Sequence, residues 1–193
     1  MANKMDQFER LEARNRKEWR QWLHENHQTS PGIWLVYYKK NSKKTGISYD
    51  EAVEEALSFG WIDSRVNALD EERYMQIFTP RKPGSIWSKL NKQRVEKIIK
   101  EGIITPAGLE KIEVAKKDGS YYFLDDIDNL VIPLDLKDAL DSNKAAKKNF
   151  EVFTDSVKKQ ILYWIKTAKR DTTRENRIKK VVSFAAENKS PLG

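Results

Sequence analysis

Cysteine is missing from this chain of 193 residues, which removes disulfides, thiolate metal sites and cysteine nucleophiles from consideration. Histidine is nearly as scarce. His24 and His27 are the two available for any imidazole-based triad. They stand three apart at the end of a helical pattern beside a polar turn, where exposed histidines are expected and metal ligands are not. The eight glycines never occur as Gly-x-Gly. Neither the dinucleotide fingerprint nor the phosphate-cradling loop can be read, because both need clustered glycines to bring backbone N–H groups onto phosphate. No cofactor or metal is expected. Long apolar runs are lacking too: the longest, Ile33 to Tyr38, falls far short of the roughly 18 residues of a spanning helix. Met1 to Gln7 lead into a charged segment without the apolar core of a signal peptide, so a cytoplasmic location is expected.

What is present is a foldable chain. It is 39% hydrophobic, 34% charged and 10% aromatic, with six Trp, which is too much aromatic bulk for a disordered polymer. The net charge of +7 is unevenly placed. Residues 1–136 carry 22 basic and 22 acidic side chains, whereas residues 137–180 carry 13 basic and 6 acidic ones. A basic helical block of this kind could meet nucleic acid, anionic lipid or an acidic protein, or it could be a solvated face whose Lys stems cover apolar surface.

Along the chain, Phe8, Leu11, Trp19, Trp22 and Leu23 recur at helical spacing, predicting an amphipathic helix over 6–26. Ile33 to Lys40 reads as a strand, and Asn41 to Gly46 as a Lys-rich loop. Ser48 and Glu51 have the spacing of a capping box, opening a helix that Gly60 ends. Trp61 to Leu69 and Arg73 to Thr79 form an antiparallel hairpin around Asp70-Glu71-Glu72, with Pro80 and Pro83 closing the sheet. Strict alternation would send Trp61, Asp63, Arg65 and Asn67 to one face. Ser85 is placed to cap a helix running to about Lys100, and Thr105-Pro106 opens another. Beyond a connector, the stretches 136–140, 144–150, 156–169 and 172–186 read as helices, the last with Thr172 and Glu175 as a capping box. The acidic run Asp125, Asp126, Asp128 lacks the glycine and distant Glu of a calcium loop and reads as a solvated turn. The expected fold is α+β: a small antiparallel sheet of about three strands packed with helices, followed by a C-terminal helical module. The expected domains are 1–120, a connector at 121–133, and 134–193.

Two constellations stand out. The first is a candidate pocket of Trp61, Asp63, Arg65, Gln76, Thr79, Arg81, Ser85, Trp87, Ser88 and Asn91, where an acid, forked guanidinium groups and flat aromatic walls could hold a small anion. Alternatively, the Arg residues simply pair with Asp63, and the Ser residues satisfy helix N-termini. The second is a candidate partner surface of Lys158, Lys159, Lys166, Lys169, Arg170, Arg174 and Arg177. No catalytic residue is assigned, although Asp63 could serve the pocket as a hydrogen-bond acceptor or a base.

Several of these strings also carry a resemblance. Gly32 to Lys40, Ser48 to Leu57, Phe59 to Ser64, Gln76 to Arg81, Ser85 to Asn91, Thr105 to Gly108 and the run Ile165 to Lys180 together resemble the bacterial YdeI/OmpD-associated (bacteriocin-protection, OmdA) family over about residues 20–185. The resemblance implies protection against bacteriocins or cationic peptides and association with an outer-membrane porin, with a helical OmdA module at the C-terminal end. It brings no catalytic residues. The leading expectation is a non-enzymatic stress or envelope-protection protein acting through a protein partner. The alternatives are a small anionic ligand-binding protein or an unrecognised enzyme using a cleft around Trp61–Asn91, and salt-sensitive, non-specific nucleic-acid binding by the basic helices; sequence-specific nucleic-acid binding is not expected.

Overall fold

The computed structural model describes residues 8–192. The chain divides after Tyr122 into two compact units. The first holds β1 (Arg10–Leu11), α1 (Arg16–Asn26), β2 (Ile33–Tyr38), α2 (Tyr49–Ser58), β3 (Trp61–Ala68), β4 (Arg73–Pro80), α3 (Lys89–Lys100) and α4 (Pro106–Lys117). The second is helical, with α5 (Asp125–Asp128), α6 (Leu134–Asp141), α7 (Lys144–Val152), α8 (Asp155–Lys166) and α9 (Asp171–Ala186). The architecture is α+β with C-terminal helices.

The sheet has four strands in the order β1-β2-β4-β3. Its three long strands are antiparallel, and β1 adds a short parallel pairing, Arg10 opposite Trp34 and Leu11 opposite Leu35. That strand replaces the first part of the helix expected over 6–26, of which residues 6 and 7 lie outside the described residues. The helix begins only at Arg16, because Asn15 is extended and its side chain accepts from Glu18 N.

One sheet face packs under the helices. Ile33, Leu35 and Tyr37 of β2 and Phe78 of β4 join Trp19, Leu23, Val53, Leu57, Trp87 and Ile98 in the main core. Trp34, Val36, Met75 and Ile77 form a smaller cluster on the opposite face. This is why β2 reads as a continuous apolar run: both its faces are covered. The capping box of Ser48 and Glu51 opens α2 as the spacing predicts. Ser88, not Ser85, caps α3, accepting from Asn91 N, so that helix starts three residues later than expected. The C-terminus of α2 receives the start of α4, with Thr105 Oγ1 donating to Ser58 O at 2.7 Å.

The helical unit has its own core, built on Leu136, Leu140, Phe150, Ile161, Ile165 and Val181. Thr154 caps α8, and α9 starts from Arg170 without a side-chain cap, so the expected Thr172–Glu175 box is not used. The acidic run forms the short helix α5 instead of a turn.

Candidate ligand site

Arg81 is where the chain leaves the sheet. Its N–H donates to Gly60 O at 2.9 Å, and its side chain turns inward to only 3% exposure. The guanidinium lies 3.7 Å from the centroid of the Trp87 ring, a close cation–π stack. Nη1 donates to the carbonyl oxygens of Ser85 at 3.1 Å and Ile86 at 3.4 Å. The loop thus curls around its own first side chain. Two backbone bonds hold it: Gly84 N donates to Asp118 Oδ2 at 2.8 Å and Trp87 N to Ser120 O at 3.3 Å.

The other edge of this guanidinium is unused. Both Nε and Nη2 are buried, and neither has a hydrogen-bond partner among the described residues. Trp87 Nε1 and the Tyr37 hydroxyl are in the same condition. Burial pulls the Arg81 pKa down to about 10, against the opposing pull of the Asp63 charge. At neutral pH the group is still a cation. Nε–H and Nη2–H point in parallel from one edge, matching the two oxygens of a carboxylate or an oxyanion.

Asp63 approaches from β3. Its Oδ2 accepts from Gln76 Nε2 at 2.6 Å and from the Tyr49 hydroxyl at 3.1 Å. Gln76 is 4% exposed and lies on the helix-covered face opposite Leu35. Tyr49 stands at the rim, with the Arg94 guanidinium 5.4 Å from its ring centroid. Arg94 is held in turn by Asp50 at 2.5 Å and by the Asn91 side chain at 3.1 Å. Burial and the Asp63 charge push the hydroxyl pKa of Tyr49 up, and burial does the same for Tyr37, so both stay neutral.

The structure divides the ten candidate pocket residues. Asp63, Gln76, Arg81 and Trp87 share the helix-covered side, with Asn91 serving through Arg94. Arg65 is placed elsewhere. A bulge interrupts the β3–β4 pairing between Asp63 and Val66, and the extra residue reverses the alternation. Arg65 consequently sits 5.3 Å from the Trp34 ring on the opposite face, and Asn67 opposes Met75 there. Thr79 pairs with Ile62. Trp61 is spent in the core, its Nε1 donating to His27 O at 3.1 Å and its ring set edge-on to Trp22. Ser85 contributes a carbonyl, and Ser88 a helix cap. Sequence reading missed Tyr37 and Tyr49. Alternation along β2 puts Tyr37 on the face of Ile33 and Leu35, but only the β2–β4 and β3–β4 registers together, which set Ile33 and Asp63 both opposite Phe78, reveal that Asp63 shares that face.

The candidate basic surface is largely consumed within its own unit. Lys166 pairs with Asp126 at 3.1 Å and Lys159 with Asp128 at 3.4 Å, tying α8 to the acidic run. Arg174 forks onto Asp135 at 2.6 and 2.9 Å. Arg177 donates to Trp164 O and, at 3.3 Å, to Thr167 Oγ1, and Lys158 donates to Glu151 O at 2.8 Å. Lys169 and Arg170 are exposed at the corner between α8 and α9, with no side-chain partner among the described residues.

Residues 11–111, more than half of the chain, match the model of a domain of unknown function, DUF8412. The chain belongs to the DUF8412 family. Residues 129–188 match a second model, described as bacteriocin-protection, YdeI or OmpD-associated (OmdA). The string resemblance over about 20–185 is therefore shared between two models, with OmdA covering the helical end. No curated protein and no solved structure matches the chain. Arg81, Asp63, Tyr49 and Trp87 all fall inside the DUF8412 match, and all seven candidate basic residues fall inside the OmdA module. Among the described residues, no helix is long and apolar enough to cross a membrane.

Proposed function

We propose that the DUF8412 domain is a binding module for a small anionic solute, held by Arg81. The observation that carries this reading is a buried guanidinium with one edge satisfied by carbonyls and the other, fork-shaped edge without a partner among the described residues. Two buried donors left without acceptors are costly, and a bound carboxylate or oxyanion supplies an acceptor for each. The stack on Trp87 and the pinned loop hold the fork in place before a ligand arrives, so little ordering cost is left to the binding step.

Thermal melting of the full chain tests this against acetate, phosphate and sulfate at matched ionic strength. A native-state ligand must raise the midpoint, by an amount growing with concentration. At least one of these anions is expected to raise it in the native chain and not in Arg81→Gln. Midpoints that respond to none of them, or equally in both chains, overturn the proposal.

A second reading concerns the OmdA module and the protection its family description names. It is supported by Lys169 and Arg170, adjacent exposed cations that could meet an acidic partner surface. Survival of cells expressing the chain under a cationic antimicrobial peptide should fall to the level of non-expressing cells when both residues are changed to Glu. Unchanged survival would remove this reading.

A further inference from the structure

The loop between α5 and α6 turns apolar side chains toward solvent. Leu130, Val131, Ile132, Pro133 and Leu134 follow one another where a connecting turn ordinarily carries polar residues. Val131 is 53% exposed, Ile132 39% and Leu134 77%. Single exposed aliphatics are common, but three so close together form a patch. The backbone keeps them there. Val131 N donates back to Asp126 O at 2.8 Å and Leu130 N to Ile127 O at 3.1 Å, closing the end of α5. Leu130 takes the left-handed conformation, φ 55°, that usually falls to glycine, and its side chain packs against the helical core. Pro133 stands just before α6 with its φ at −64°, held by its own ring. With Leu130 tied to the core and Pro133 stiff, Val131 and Ile132 stay outward.

This loop lies beside the basic corner of the same unit. A cavity of about 230 Å³ is lined by Val131 and Pro133 together with Lys166 of α8 and Arg174 of α9. Arg174 also forks onto Asp135, the residue after Leu134. Lys166 and Arg174 are neutralised there by Asp126 and Asp135. Lys169 and Arg170, between those two in the chain, are exposed and have no side-chain partner among the described residues. Asp171 beside them stands in the first turn of α9, where the helix end already favours an anion. An acidic protein surface would answer the two cations and leave the aliphatic side chains against polar groups. An anionic bilayer answers both, with negative headgroups for the cations and hydrocarbon beneath them for the aliphatics. We propose that this end of the OmdA module docks on an anionic lipid surface. Val131, Ile132 and Leu134 enter the interface, and Lys169 and Arg170 meet the headgroups. This rests on the second reading above, and it names the acidic partner as lipid.

The test is sedimentation of the full chain with two kinds of vesicle, phosphatidylcholine alone and phosphatidylcholine mixed equally with phosphatidylglycerol. The mixed vesicles are expected to bind the chain about tenfold or more tightly than the neutral ones, since each cation near such a surface is worth about fivefold. Changing Lys169 and Arg170 together to Gln should remove about the same factor. Leu134→Ser and Val131→Ser leave the charge untouched, and each should weaken binding about fivefold or more through lost apolar burial. Melting without vesicles checks the fold of each variant, and should one serine variant unfold, the other decides. Failure to bind the mixed vesicles, or equal binding to both kinds, overturns the proposal. So does binding that neither serine weakens, because a chain of net charge +7 would then be held by charge alone. If lipid binding fails while the Lys169→Glu, Arg170→Glu chain still loses its protection of cells, the lipid inference falls and an acidic protein partner remains. If protection is unchanged as well, the second reading falls with it.

Discussion

A Cβ built on Gly108 would stand 2.4 Å from Ser58 O and 2.9 Å from Leu57 O, so the first turn of α4 rests directly on the end of α2. Those neighbours are backbone atoms and cannot swing aside. Gly108→Ala is expected to destabilise the DUF8412 domain by about 1–3 kcal/mol, the range for overpacking, and urea titration should show a lowered midpoint at unchanged slope. An unchanged midpoint would mean that α4 shifts freely against α2. Residues differ in how openly they announce such roles. Ser48, with Glu51 three positions on, discloses its cap because the partners are local. Glu54 and Glu55 do not: both are buried, at 5% and 2% exposure, in a helix whose sequence gives no reason to bury adjacent acids. Arg16 and Arg20 of α1 and Lys97 of α3 neutralise them, and only the packing of three helices supplies that compensation.

Among the elements, the OmdA helices are joined by ion pairs whose strength depends on pH. Arg174 holds the Asp135 carboxyl below its ordinary range, and Lys137 and Lys147 hold Asp141 down at about 2. A carboxyl whose pKa is lower folded than unfolded contributes stability that is fully present above the unfolded value, about 3.9, and that disappears as pH falls through the folded one. The melting midpoint of the module should therefore drop between about pH 4 and pH 2. Asp135→Asn should lower the midpoint at neutral pH and make its acid dependence shallower. Equal acid dependence in the two chains would show that the Asp135–Arg174 fork contributes nothing. Ion pairs engage Lys159, Lys166 and Arg174 of the basic block. Its counter-charges, Asp126, Asp128 and Asp135, lie 30 or more positions upstream, and only the packing of α5, α6, α8 and α9 brings them together.

For the whole molecule, the two compact units carry separate cores, and each is expected to fold alone. A chain of residues 123–193 should melt cooperatively, with helical circular dichroism, and so should residues 1–122. A gradual, non-cooperative melt of the shorter piece would show that its small core is insufficient by itself, the risk for any unit of about 70 residues. The amino-acid sequence alone determined most of the helices, the hairpin and the caps at Ser48 and Thr105. Those features follow from spacing, turn chemistry and side-chain shape within a few residues. The bulge after Asp63, the burial of Arg81 and the separation of Arg65 from Asp63 were decided by tertiary structure, because strand register and the position of a buried charge depend on residues distant in the chain.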